Sequence, residues 1–278
     1  MILLNNTLHI GASAPFDVLH ASDTHLTYAD EREPDHGRKM KLAQERAPYF
    51  ANAEKDLAEI AAQSGEHHIP ILHTGDLIDF VSMANLDAVK QFTREHDVFM
   101  AAGNHEFSLY VGEAKEDAAY REKSLHAVQA AFSNDIRFSS RCINGVNFVA
   151  LDNSYYLIEE AQLAALKAEA AKGLPIVLML HTPLYTPALY DLSIRIHNGG
   201  PAYLMAVPEE KMRSYSPDRY EQQLADETTL SAYEYILSEP LIKAVLAGHI
   251  HHSAEDMLPG ERPQWITGLH TLRKIHIT

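Results

Sequence analysis

Short apolar runs at 16–21, 69–73, 98–102, 175–180 and 243–247 alternate with longer stretches in which apolar residues recur at helical spacing, at 38–63, 82–95, 113–132 and 159–172. This alternation predicts an α/β architecture, with each run short enough to be a buried strand. Ser82 is placed to cap the helix that follows it, and Gly65 and Gly173 to close helices in the left-handed conformation. Pro48 is expected to split or kink the first helical stretch. A second strand system shows at 141–143 and 146–151, which flank Asn144-Gly145, the preferred dipeptide of a tight hairpin. The tail, 264–278, again alternates like strands. Two mixed sheets packed face to face with helices outside use all of these pieces, so the expected fold is a four-layer α/β/β/α sandwich forming one domain over residues 1–278. One stretch, 182–226, is weakly patterned, rich in Tyr and Pro, and contains Asn198-Gly199-Gly200-Pro201. An insertion of that length predicts a lid-like, substrate-recognising segment.

Composition narrows the class. With 278 residues, 46% hydrophobic and 22% charged, the chain has the balance of an ordinary globular protein. It has no apolar stretch of about 18 residues, and Met1 to Leu8 lacks the basic start and long apolar core of a secretory signal. A cytoplasmic chain without a membrane partner is therefore expected. Cys142 is the only cysteine, which excludes an internal disulfide and a thiolate-rich zinc site and suits a reducing compartment. The net charge of -15, without a Lys/Arg cluster, argues against long nucleic acids and anionic membranes, whose binding depends on neutralising many phosphates. A small phosphorylated ligand needs only a local positive site, which bound metal ions supply even in an acidic protein.

Residues able to do chemistry stand where the apolar runs stop. They are Ser22-Asp23-Thr24-His25, Gly75-Asp76 with Asp79, Gly103-Asn104-His105-Glu106, His181, and Gly248-His249-Ile250-His251. Ligands of α/β sheets bind beyond the carboxyl ends of the strands, so one site can collect all five groups. Singly, each has a plain structural reading: Asp23 and Asp76 as turn residues, Gly75 and Gly103 as permissive glycines, any one His among 17 as a surface residue. The ordered set is what carries the inference.

That set resembles the signature of the calcineurin-like metallophosphoesterases: Asp-x-His, Gly-Asp, Gly-Asn-His-Asp/Glu, a lone His, then Gly-His-x-His, here spread over residues 17–251. The resemblance implies a dinuclear, metal-dependent phosphoesterase. Asp23, His25, Asp76 and His251 would hold one ion, and Asp76, Asn104, His181 and His249 the other, with Asp76 bridging. Mixed nitrogen and oxygen donors suit two divalent or trivalent transition ions, Mn, Fe or Zn. The implied reaction is in-line attack of a metal-activated hydroxide on phosphorus, with His105 orienting the phosphoryl group or protonating the departing oxygen. Asp79, ahead of Glu106, is expected to brace one of the imidazoles from behind. Tyr185, Tyr190, His197, Asn198 and Tyr203 in the insertion, and His36 and Arg38 after His25, are candidates to meet substrate.

Three readings follow. The leading one is hydrolysis of a small-molecule phosphodiester or phosphomonoester, with cyclic nucleotides one candidate class. A Ser/Thr-type protein phosphatase comes second, because those enzymes carry arginines beside the Gly-Asp and Gly-Asn-His motifs. Here Leu77, Ile78, Asp79 and Phe80 follow Asp76, and Phe107 follows Glu106. The third is a non-catalytic binding module on the same scaffold; such proteins lose ligand residues, and none is missing here.

Overall fold

The structure is a computed structural model that describes residues 1–112 and 116–278. Its strands are β1 (Ile2–Leu8), β2 (Phe16–Ala21), β3 (Ile71–His73), β4 (Val98–Met100), β5 (Phe138–Ile143), β6 (Val146–Leu151), β7 (Ile176–Met179), β8 (Ile242–Ala247), β9 (Ala254–Leu258), β10 (Arg262–Ile266) and β11 (Thr271–Ile277). The helices are α1 (His36–Arg46), α2 (Ala53–His67), α3 (Met83–Glu95), α4 (Ala118–Glu122), α5 (Leu125–Gln129), α6 (Glu160–Ala170), α7 (Pro187–Ile196), α8 (Pro217–Gln223) and α9 (Glu227–Ser238). The strands form a five-stranded sheet in the order β1-β11-β2-β3-β4 and a six-stranded sheet in the order β5-β6-β7-β8-β10-β9. Both are mixed: β2, β3 and β4 run parallel while β11 opposes β2, and β6, β7, β8 and β10 run parallel between antiparallel edges.

Alternation along the strands explains the layers. Val18, Leu72, Phe99 and Ile275 of one sheet meet Phe148, Val177, Met179, Leu246 and Trp265 of the other in a shared inner core. Their strand neighbours, Leu19, Ile71, Val98 and Met100, face the opposite way into a cluster with Ile60, Val89, Phe92 and Val128 of the helices. On the far side, Val149, Leu178 and Val245 pack under Leu163, Leu166, Ala232 and Ile236 of α6 and α9. A side-chain period of two with apolar residues at every position is what a strand covered on both faces requires. The predicted sandwich of two sheets between helices is the observed fold.

Local signals held in most places. Ser82 Oγ accepts a hydrogen bond from Asn85 N at 3.0 Å, capping α3. Pro48 sits at the head of a 3-10 turn, Ala47–Phe50, that separates α1 from α2. Gly173 takes a positive φ just past α6. Gly65 does not close its helix. Instead α2 runs on to His67 and ends at a left-handed His68, because Ser64 bonds the chain beyond it: its Oγ donates to Ile69 O at 2.7 Å and its carbonyl accepts from His68 N. The stretch read as helix over 113–132 contains two short helices, α4 and α5; residues 113–115 lie outside the described residues. Strand β1 was not anticipated. It is an exposed edge, interrupted by Asn5 and Asn6, and pairs in parallel with β11 along its whole length.

The insertion at 182–226 carries α7 and α8 and is tied down by its own apolar cluster, in which Leu189, Leu204 and Met212 pack on Ala247, Ile250 and Ile266 at the carboxyl ends of β8 and β10. That contact sets it beside the strand ends where the candidate residues gather. Among the described residues, no helix is long and apolar enough to cross a membrane.

Candidate metal centre

The loops that follow β2, β3, β4, β7 and β8 bring the seven predicted metal-ligand residues and His105 to one place. Asp23, His25, Asp76, His249 and His251 each adopt a left-handed backbone, with φ of 55°, 54°, 56°, 70° and 58°. Few non-glycine residues adopt this conformation, and its concentration here marks tight loops that double back to aim side chains inward. Two glycines make the closest approach possible. A Cβ on Gly103 would lie 2.2 Å from Asp76 Oδ1, and one on Gly75, whose φ is +100°, would lie 2.5 Å from Gly103 N.

Asp76 is the centre of the arrangement. Its Oδ2 lies 3.6 Å from His25 Nε2 and 3.2 Å from His181 Nε2, so one oxygen faces a cluster on each side. Its Oδ1 accepts from His105 N at 2.9 Å. On one side, donor atoms of Asp23, His25, Asp76 and His251 all lie within 4.8 Å of one another; on the other, those of Asp76, His181 and His249 do. Asn104 lines the same cavity, and its buried amide oxygen has no partner among the described residues.

Hydrogen bonds fix which ring nitrogens point inward. His25 Nδ1 donates to Asp79 Oδ1 at 3.0 Å, and His181 Nδ1 donates to the Thr74 carbonyl at 2.7 Å, which leaves both Nε2 lone pairs facing the centre. Those two atoms stand only 3.1 Å from His251 Nε2 and 3.0 Å from His249 Nδ1. Converging lone pairs from neutral imidazoles around carboxylates repel one another unless a cation joins them, and this is the chemistry of a metal donor set. The electrostatics agree. Burial, with His25 adjacent, drives His251 down to about 3. Burial and the neighbouring His181 likewise hold His249 well below the usual imidazole range. Burial opposes charge on His181 too, yet the Asp76 carboxylate prevails and raises it to about 10, so without an ion its Nε2 holds a proton whose place a metal ion would take. The residues present fit two ions.

Asp79 stands behind this shell as expected, receiving His25 and also Arg46, whose Nε and Nη2 donate to its two oxygens at 2.7 and 2.9 Å. Burial resists ionisation of Asp79, but Arg46 and His25 hold its carboxyl well below the ordinary carboxylate value. Glu106, ranked behind Asp79 for that role, has a structural one. It braces backbone rather than an imidazole, accepting from the amides of Asp76 at 2.7 Å, Leu77 at 2.8 Å and Gly103 at 2.7 Å, and so locks two loops together.

Sequence reasoning missed several participants. Tyr156 OH lies 2.6 Å from His249 Nε2. Asn153 Oδ1 accepts from the amides of His181 and Thr182, each at 3.0 Å, and positions that loop. Both follow β6, whose apolar run ends in Asp152-Asn153-Ser154. The rule that found the other groups, polar residues at the carboxyl end of a strand, would have found these. Phe50 stacks on His25 at a ring distance of 4.1 Å, a contact with no local sequence signal. Of the insertion candidates, His197 and Tyr203 line the cavity of about 740 Å³ in front of the centre, as do Asp218, Arg219, Glu221 and Gln222. Tyr185, Tyr190, Asn198, His36 and Arg38 are not among its lining residues; Arg38 stacks on Tyr110 instead.

A dimetal phosphatase from Danio rerio superposes with a TM-score of 0.51 at 14% identity, over 91% of this chain and 88% of that one. Phosphopantetheinyl hydrolase from Mycobacterium tuberculosis gives 0.44 at 12% identity, over 95% and 90%. NAD nucleotidase from Haemophilus influenzae gives 0.39 at 12% identity, over 92% of this chain but 45% of the longer one. At these identities the likeness is one of fold. Comparison with curated proteins finds no match. The family model for calcineurin-like phosphoesterases matches residues 16–253, a span that contains every strand-end motif described above. The chain belongs to the calcineurin-like phosphoesterase family and is a hydrolase of phosphoesters.

Proposed function

We propose that this protein hydrolyses a small-molecule phosphodiester or phosphomonoester at a dinuclear centre. Asp23, His25, Asp76 and His251 would hold one ion there, and Asp76, Asn104, His181 and His249 the other. The observation that carries the reading is the position of Asp76 Oδ2, within 3.6 Å of His25 Nε2 and 3.2 Å of His181 Nε2, between two sets of inward-facing donors. Two transition ions, Mn, Fe or Zn, would supply an activated water and positive charge for the phosphoryl oxygens.

The chain's own residues supply the rest. His105 Nδ1 donates to the Asp79 carbonyl at 2.6 Å, which leaves Nε2 for the substrate. Burial disfavours its charged form, but the carboxylates of Asp76 and Asp79 outweigh burial and raise its pKa above the ordinary imidazole value. His105, which lines the cavity, is placed to give a proton from Nε2 to the departing alcohol oxygen. Arg46 and Asp79 keep His25 in the tautomer that presents Nε2 inward. The insertion acts as the recognition lid, since His197, Tyr203, Arg219 and Gln222 line the same cavity as Asp76, Asn104 and His249.

Glu116, Asp218 and Glu221 also line the cavity. Their charge disfavours a polyanionic leaving group and supports a small ester over a nucleic acid or a densely phosphorylated peptide. The lone cysteine, Cys142, suits a reducing, cytoplasmic setting. The test is a panel of cyclic nucleotides, nucleoside monophosphates, glycerophosphodiesters and a phosphoserine peptide presented to the Mn-loaded protein. One small-molecule class is expected to be turned over fastest; a phosphopeptide as the best substrate would overturn the reading.

A further inference from the structure

An asparagine amide has two donor hydrogens and one acceptor oxygen, and only the oxygen can bind a cation. Something must therefore hold Asn104 with its oxygen toward the centre. Asn104 Nδ2 donates to Glu116 Oε1 at 3.2 Å, while its buried Oδ1 has no partner among the described residues. Glu116 is held in turn by Gln222, whose Nε2 donates to its other oxygen, Oε2. Gln222 has its own oxygen occupied by Arg219 Nη1 at 2.5 Å.

The polarity of this chain of hydrogen bonds leaves no freedom. A guanidinium only donates, so Gln222 must turn its oxygen to Arg219 and its NH₂ to Glu116. A carboxylate receiving two donors only accepts, so Asn104 must turn its NH₂ to Glu116 and keep its oxygen for the cavity, where Asp76 and His249 also stand. Gln222 and Arg219 lie on α8, within the insertion.

We propose that Glu116 is a positioning residue that fixes the amide oxygen of Asn104 toward the His181 and His249 half of the centre, and that Gln222 carries this constraint from the insertion. The proposal rests on Asn104 being a ligand. It makes the insertion more than a wall for substrate: its helix α8 also sets the affinity of one of the two ions.

The experiment is calorimetric titration of chelator-treated full-length protein with Mn²⁺, with thermal melting to confirm that each variant is folded. Glu116→Ala should weaken one Mn²⁺ site about 10–100-fold and leave the other unchanged, the usual effect of losing a residue that orients a ligand. Glu116→Gln should weaken the same site less than Ala does, because its one oxygen can still accept from Asn104 while its NH₂ group loses the bond from Gln222. Unchanged affinities in Glu116→Ala, or equal loss at both sites in either Glu116 variant, would overturn the proposal. Asn104→Ala separates the two layers of the argument. If it binds both ions normally, the ligand reading is wrong; if it loses one ion while Glu116→Ala loses none, positioning alone is wrong. Should Glu116→Ala fail to fold, Gln222→Leu takes its place, with a weaker but equally selective loss expected and no loss counting against the proposal.

Discussion

Replacing Asp76 with Asn should remove at least one ion and lower hydrolysis beyond the ~10–100-fold typical for residues that merely support a metal ligand. The reason is geometric. Asp76 Oδ2 faces His25 Nε2 and His181 Nε2, while Oδ1 accepts from His105 N at 2.9 Å. An amide has a single acceptor oxygen. If that oxygen stays on the His105 amide, an NH₂ group faces both halves of the centre; if it turns inward, two donors collide at His105 N. Either way the shared negative charge is gone. The fold should survive, because the substitution is isosteric and the backbone amide of Asp76 still donates to Glu106 Oε2. Elemental analysis, turnover and melting temperature together check this. A folded Asn variant with full metal content and near-normal turnover would show that Asp76 does not bridge.

His105→Ala should behave in the opposite way, keeping both ions while turnover falls about 10²–10⁴-fold, the range for removal of a positioned general acid. His105 contributes only its backbone amide to Asp76, and an alanine retains that donor. Its ring, anchored through Nδ1 on the Asp79 carbonyl, has Nε2 to spare for the substrate. The loss should be severe for alkyl esters, whose leaving oxygen needs a proton, and mild for nitrophenyl esters, whose leaving group departs as a stable anion. Equal losses on both substrates would remove the acid role and leave an orienting one. Loss of an ion would make His105 a ligand.

The contrast between these variants shows why the site was so legible. Asp23, His25, Asp76, Asn104, His105, His181, His249 and His251 all lie directly after short apolar strands, and parallel strands deliver their carboxyl ends to one edge. Order in sequence therefore became proximity in space. The core strands were legible for a related reason: β2, β3, β4 and β6 to β8 are covered on both faces and read as mainly apolar runs, with only isolated polar residues such as Asp17, His20, Asn147 and Lys243. Strand β1 escaped because an exposed edge keeps Asn5 and Asn6 among its apolar residues. The end of α2 was misplaced because a bond from Ser64 to Ile69, not the helix-breaking tendency of Gly65, decides where it stops. Glu116, Gln222 and Phe50 act through contacts between segments distant in sequence, and nothing in their immediate neighbours announces the role. Arg46 likewise looks like an ordinary helix-terminal arginine until Asp79 is found beneath it.

The central claim, a dinuclear phosphoesterase centre, is tested most directly by counting metal in the full-length protein after Mn loading and desalting, with hydrolysis of bis(p-nitrophenyl) phosphate followed on the same sample. About two transition ions per chain, with hydrolysis lost on chelation and regained on Mn addition, is the predicted result. A folded protein that retains no metal and hydrolyses nothing after loading would contradict it.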